Sequence, residues 1–187
     1  ALSDAKAFLL DIKYSGEDFT SKIARVREWM RENNTTTHIL TSLDDIAWLF
    51  NIRGGDIKYN PVVLSYAVIT LDKAILFVDE NKLNDEIKTS FGEEVVEIKN
   101  YFEIYEFVKT INKEEIVLID SNKISYSILK NIPAGVKVVN GMNPSTKFKA
   151  QKNSVEIENT KKAHIRDGVA VTKFMYWLKN NIGKIEI

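Results

Sequence analysis

The chain has 187 residues, room for one domain with a sizeable core or for one domain plus part of another, and the second arrangement is the expected one. Its 26 basic and 26 acidic side chains cancel, so charge supplies no pull toward nucleic acid. Cysteine is absent, which excludes a disulfide framework, a thiolate nucleophile and thiolate metal sites and suits a reducing cytoplasm; the short apolar runs, and a start (Ala1 to Phe19) without the plan of a signal peptide, point away from membranes and secretion.

In chain order, DFTSKIARVREWMRENN sets Phe19, Ile23, Val26 and Met30 at helical spacing and predicts an amphipathic helix over 19–33, its acidic start suited to the positive helix end. THILTS reads as a short strand. SLDDIAWLFN reads as a helix opened by Ser42, with Asp45 three residues on in near-capping-box spacing. VVLSYAVIT and AILFVD flank the turn LDK, the pattern of a β-hairpin. Helix and strand then alternate: a helix near 82–90, strand VVEI, helix FEIYEFVKTI, strand EIVLID, helix KISYSILKNI and strand VKVV. This order predicts an α/β fold, a mixed β-sheet flanked by helices, over about residues 1–150. Gly141 and the Asn143-Pro144 step are expected to close that domain.

A second helix signature follows, Asn153 with Glu156 three residues on, running to about Asn181 with Gly183 as its stop. Its late part places Ala170, Phe174 and Trp177 on one side and Val171, Met175 and Leu178 on another. A helix apolar on several sides expects burial all round, yet little sequence follows it. The expectation is that residues 151–187 are the truncated start of a further domain; a terminal helix packing on the first domain or in a dimer is the alternative.

Two long segments carry a resemblance. Residues 40–70, LTSLDDIAWLFNIRGGDIKYNPVVLSYAVIT, resemble the second N-terminal domain of long Xaa-Pro aminopeptidases of the creatinase/prolidase metallopeptidase family. Residues 147–178, KFKAQKNSVEIENTKKAHIRDGVAVTKFMYWL, resemble the passage by which those enzymes lead into their catalytic domain. The resemblance implies a later pita-bread domain in which two aspartates, a histidine and two glutamates hold two divalent metals, commonly manganese, whose bridging hydroxide attacks the peptide bond before proline. No position of this chain matches those ligands, so the fragment is expected to be inert, with no cofactor of its own. The partners implied are the catalytic domain of the same chain, an Xaa-Pro peptide as the parent's substrate, and a second copy in a homodimer, in a cytoplasmic protein that binds neither nucleic acid nor membrane. Two other classes stand beside this one: a peptide- or protein-binding module of a noncatalytic pita-bread relative, and an independent small-molecule α/β enzyme.

Among candidate sites, His38 falls in a strand and His164 on the last helix with Asp167 one turn away, too few ligands for a metal. Asp44, Asp45, Asp56 and Asp79 could suggest a magnesium-dependent nuclease, but Asp44 and Asp45 sit in a first helical turn that favours carboxylates, and Asp79 is placed to start a turn after a strand. Gly54 and Gly55 match no phosphate-loop pattern. The loop LFNIRGGDIKYNP, Leu49 to Pro61, keeps two readings. In the structural one the glycines take positive φ, Pro61 holds Asn60 extended, and Arg53 ties down backbone carbonyls or Asp56. In the functional one, which rests on the resemblance, Arg53, Asp56, Trp48, Tyr59 and Asn60 line a loop that faces the catalytic cleft of the full enzyme.

Overall fold

A computed structural model describes residues 2–92 and 95–184. The N-terminal segment forms β1 (Phe8–Leu9) and the single turn α1 (Ile12–Ser15), followed by α2 (Phe19–Glu32) and β2 (Thr37–Leu40). Then come α3 (Leu43–Leu49), β3 (Ile52–Arg53), β4 (Ser65–Thr70), β5 (Ala74–Val78), α4 (Asp85–Phe91) and β6 (Glu97–Lys99). The remainder is α5 (Ile104–Phe107), β7 (Ile116–Ile119), α6 (Tyr126–Asn131), β8 (Lys137–Asn140), α7 (Pro144–Ala150) and α8 (Ser154–Asn181).

Six strands form one mixed sheet in the order β6-β5-β4-β2-β7-β8. The hairpin makes β4 antiparallel to both β5 and β2, while β5–β6, β2–β7 and β7–β8 pair in parallel. The two-residue side-chain period then sorts the apolar residues onto two faces. Leu40, Ala67, Ile69, Leu76 and Val78 join the core that contains Phe19, Ile23, Val26 and Met30 of α2 and Ile46 and Leu49 of α3. Ile39, Val68, Ile75, Phe77, Val117 and Ile119 join the opposite core, with Ile104 of α5 and Ile128 of α6. α2, and the pairing of the hairpin about its turn at 71–73, therefore stand where the apolar spacing put them.

Four expectations need correction. The hairpin's first strand begins at Ser65, because the Val62 backbone bonds back to Asp56 and Asn60 and Val63 packs against Gly54 to close the preceding loop. The helix read over 102–111 is three consecutive single turns, 3-10 at Tyr101–Glu103, α5, and 3-10 again at Val108–Thr110. Ser42 makes no side-chain cap; its hydroxyl donates to the Asp45 carboxylate instead, because that carboxylate is turned inward. The Asn143-Pro144 step opens α7 rather than closing the fold, with Asn143 capping the Ser145 amide at 2.9 Å and Pro144 at the first helical position, where its missing N–H costs nothing.

The capping box of α8 is present in both halves: Asn153 Oδ1 accepts from the Glu156 amide, and Glu156 Oε2 accepts from the Asn153 amide, each at 2.9 Å. The helix contacts the α1 turn near its start. Beyond it Val169, Val171, Phe174, Met175 and Tyr176 are each at least half exposed.

Candidate functional site

The Leu49 to Pro61 loop is held from below by charged groups that have been taken inside. Asn51 follows α3 in the left-handed region at φ 52°, where a short amide side chain is tolerated. It is fixed there by two bonds: its Oδ1 accepts from Lys22 Nζ at 2.6 Å, and its Nδ2 donates to the Glu17 carbonyl at 2.8 Å. Lys22 also donates to the Trp48 carbonyl at 3.0 Å and lies 4.6 Å from the centre of the Trp48 ring. Among the described residues no carboxylate bonds to this ammonium, and burial pulls its pKa down to about 8.

Next, β3 pairs with β1, setting Arg53 opposite Phe8. Arg53 Nη1 donates to the carbonyls of Ala47 and Ile52, clipping the end of α3 to β3. Asp56 is bound elsewhere. Its Oδ2 accepts from Lys82 Nζ and from the Leu64 amide, both at 2.6 Å, and both side chains of the Asp56–Lys82 pair are at most 2% exposed. Burial pushes the Asp56 carboxyl up, but Lys82 and the Leu64 amide hold it below its ordinary value.

The glycines serve a purpose other than the expected positive φ. A Cβ on Gly54 would stand 2.7 Å from Val63 Cγ2, so the residue is small because the loop's two limbs meet there. Positive φ falls instead on Asn51 and on Tyr59, at 65°. Tyr59 is 93% exposed at the loop tip, with Lys58 Nζ 5.0 Å from its ring centre. The five residues singled out in the sequence thus divide: Trp48 and the Asp56 side chain are inside, Arg53 is half-buried, and Tyr59 and Asn60 are on the surface.

His38, Asp44 and Asp45, considered singly in the sequence, meet Lys123, Asn143 and Lys149 in a second cluster at the C-terminal ends of β2 and β7. The connections leaving these neighbouring parallel strands go to opposite faces, α3 to one core and α6 to the other, so the crevice between them is the place where open α/β sheets bind ligands. Here the chain fills it with its own side chains. Asp45, fully buried, accepts at Oδ2 from Lys123 Nζ (2.8 Å), Asn143 Nδ2 (3.0 Å), Thr146 Oγ1 (3.1 Å) and the Ser42 hydroxyl. Lys149 Nζ lies 2.8 Å from Oδ1 as an ion-pair contact without hydrogen-bond geometry, and also bonds Asp44. Burial pushes the Asp45 carboxyl up, but Lys123, Lys149 and Ser42 more than offset it and bring the pKa to about 2. His38 joins this cluster through Asn143. The cavity left beside Ile39, Ser42, Asp120 and Lys123 has a volume of about 10 Å³, the size of one water.

The described residues do not fit a dinuclear metal centre. Among the described residues no three histidine or acidic side chains converge as metal ligands, and the buried carboxylates of Asp45 and Asp56 are each held by lysine. His164 and Asp167 lie on the exposed surface of α8, and Asp79 caps the short turn at Glu80–Lys82.

The creatinase/prolidase N-terminal domain profile matches residues 1–156. The chain is 38% identical over 185 residues to "Probable Xaa-Pro aminopeptidase P" of Sordaria macrospora, covering 94% of this chain and 30% of that protein. It is 37% identical over 176 residues to "Xaa-Pro aminopeptidase 1" of Dictyostelium discoideum, covering 94% and 28%. The crystal structure of an X-prolyl aminopeptidase from Caenorhabditis elegans, described as a cytosolic enzyme with a di-nuclear active site, superposes with a TM-score of 0.86 at 28% identity, over 94% of this chain and 29% of that one. The chain therefore spans about 30% of the length of the relatives it matches.

Proposed function

The chain belongs to the creatinase/prolidase N-terminal domain family, and from that membership we propose that it is a noncatalytic domain of a longer Xaa-Pro aminopeptidase. In this reading residues 1–150 are the α/β domain and residues 151–187 begin the catalytic domain. The parent releases an N-terminal residue that precedes proline, using water activated by two divalent metals, manganese by family resemblance, held downstream of this chain. The α/β domain shapes access to that site and helps to assemble the parent, a cytoplasmic homodimer.

The observation that carries this reading is α8. Similarity covering 94% of the chain necessarily takes in much of this helix, yet the match accounts for only about 30% of the relative's length. The helix meanwhile presents Phe174, Met175 and Trp177 to solvent, and beside its first half lies an apolar groove of about 690 Å³ lined by Leu10, Tyr14, Ala163 and Ile165. Apolar surface of that extent calls for cover, and the rest of the parent polypeptide supplies it. The cytoplasmic assignment is supported by the neighbour described as cytosolic. The filled crevice between β2 and β7 supports a scaffold role over that of an independent small-molecule enzyme.

The test is cleavage of a short Xaa-Pro peptide, with manganese supplied, by the full-length parent and by this chain. Cleavage by the parent alone is expected. Cleavage by this chain would overturn the proposal. A parent that binds such peptides without cutting them would favour the binding-module class instead.

A further inference from the structure

His38 is fully buried in β2, and both of its ring nitrogens face oxygen atoms that accept hydrogen bonds. Nδ1 lies 3.2 Å from the Leu118 carbonyl of β7, an acceptor and nothing else. Nε2 lies 3.1 Å from Asn143 Oδ1. The Asn143 amide cannot be turned to offer its NH₂ group instead, because its oxygen caps the Ser145 amide at 2.9 Å and its nitrogen donates to Asp45 at 3.0 Å. Turning it would break both bonds and set a donor against a donor. A neutral imidazole has one N–H, so one of its nitrogens would present a lone pair to an oxygen at a separation too short for an intervening water. An imidazolium satisfies both.

The surrounding charges accept such a cation. Asp45 of α3 and Asp120 at the end of β7 are the carboxylates that favour the charged ring, with Lys123, from the turn before α6, and Lys149 of α7 bound to Asp45. Burial is the largest single influence and leaves His38 below the ordinary histidine value, the upward pulls of Asn143, the Leu118 carbonyl, Asp45 and Asp120 being smaller. The geometry weighs against the neutral ring: with two acceptors and a single N–H it buries an unmatched pair of oxygen and nitrogen lone pairs.

We propose that His38 is held as an imidazolium at neutral pH and acts as a proton-dependent clasp, donating from both nitrogens to fasten the N-terminal turn of α7 to β2 and β7. Loss of the proton leaves one of the two bonds unmade and loosens Asn143, and with it the segment that leads into α8. The proton count at one buried side chain thereby reaches the connection between the sheet and the long helix.

Nitrogen-15 spectroscopy of the imidazole rings across a pH series decides this. The chain has two histidines, and His164→Gln removes the second set of signals without touching the cluster. The expected result is that both His38 nitrogens remain at the imidazolium position through pH 7 and move together only above it, with the Ser145 amide signal shifting in step. A single protonated nitrogen at pH 6 to 7 would overturn the proposal. Stability relative to His38→Met gives the second readout: a clasp of this kind makes the advantage of the wild type largest below pH 6.5 and diminishes it as the proton leaves. An advantage that is flat, or that grows with pH, counts against it.

Discussion

Asn153 Nδ2 donates to the Ser15 carbonyl at 2.8 Å, joining the residue before α8 to the last residue of α1 across most of the chain. One and a half turns later, Asn159 Nδ2 donates to the Lys13 carbonyl at 2.9 Å. The direction in which α8 leaves the α/β layers is therefore set by the N-terminal segment, which itself is pinned through β1 to β3 and so to the Leu49 to Pro61 loop. A polar seam of side-chain amides on backbone carbonyls serves here because α1 is too short to offer an apolar face.

Gly16 makes that seam possible. It has φ 67°, and a Cβ there would stand 2.5 Å from Asn153 Oδ1 and 2.8 Å from Val155 Cβ. Gly16→Ala should cost about 2–3 kcal/mol, combining backbone strain with displacement of α8. Gly135→Ala is the control, since Gly135 also has positive φ but a Cβ would meet only the flexible Lys113 side chain at 3.7 Å. Equal losses in urea denaturation would mean that the close approach contributes nothing.

Asp45 carries a pH dependence whose sign follows from its lowered pKa. An ordinary aspartate titrates near 3.9, and Asp45, at about 2, binds its proton less readily folded than unfolded. Its contribution is present above about pH 4 and is lost as pH falls toward 2, amounting to about 2 kcal/mol. Asp45→Asn should lower stability at pH 7 by about that amount, and the gap from the wild type should close in acid. A gap that persists unchanged to pH 2 would show that shape, and not charge, is what the packing around Asn143 and Ser145 requires of this position.

The contrast between Asp45 and α2 shows what the sequence made legible. The apolar period of α2 and the apolar runs of the hairpin strands are local patterns, and much of both cores follows from them. Asp45 reads locally as a first-turn carboxylate; its lysine, threonine and asparagine partners lie 78 to 101 residues away, and no spacing announces them. The loop was legible as a unit but not in its parts. Two adjacent glycines suggested positive φ, whereas close packing of Gly54 on Val63 was the constraint, and the strain fell on Asn51 and Tyr59. Lys22 and Lys82 carry no local signal, because a lysine in a helical or turn pattern reads as solvated and burial is a property of the assembled layers.

Lys82 and Asp56 anchor the far limb of the loop as a buried pair at 2.6 Å. Removing one partner leaves the other's charge uncompensated, so Lys82→Met should cost about 3–5 kcal/mol. Lys82→Met combined with Asp56→Asn should recover at least about 1 kcal/mol of that loss, measured as a coupling energy in a double-mutant cycle. Strictly additive losses would mean that the two side chains act independently.

Lys22 should behave in the opposite sense to Asp45. Its pKa of about 8 lies below the unfolded value near 10.4, so the folded chain gives up this proton first. Stability should therefore rise between pH 8 and pH 10.4 relative to Lys22→Met, by up to about 3 kcal/mol. The melting-temperature difference between the two proteins across that window is the measurement, and a difference that stays level would show that the ammonium is not desolvated in the fold.

Tyr59 separates the two readings of the loop. A tyrosine at φ 65° bears strain that glycine would relieve, and at 93% exposure its ring has little packing to lose. Tyr59→Gly should therefore stabilise this chain by about 1 kcal/mol, seen as a raised melting temperature. In the full-length parent the same substitution discriminates further. If the tip faces the catalytic cleft, the stabilised variant should show a higher KM for Xaa-Pro peptides, because a residue kept in a strained, exposed position is then serving recognition. Unchanged kinetics alongside the higher melting temperature would leave the loop its structural role alone, with Arg53, Asn51 and the Asp56–Lys82 pair fixing a tip that touches no substrate.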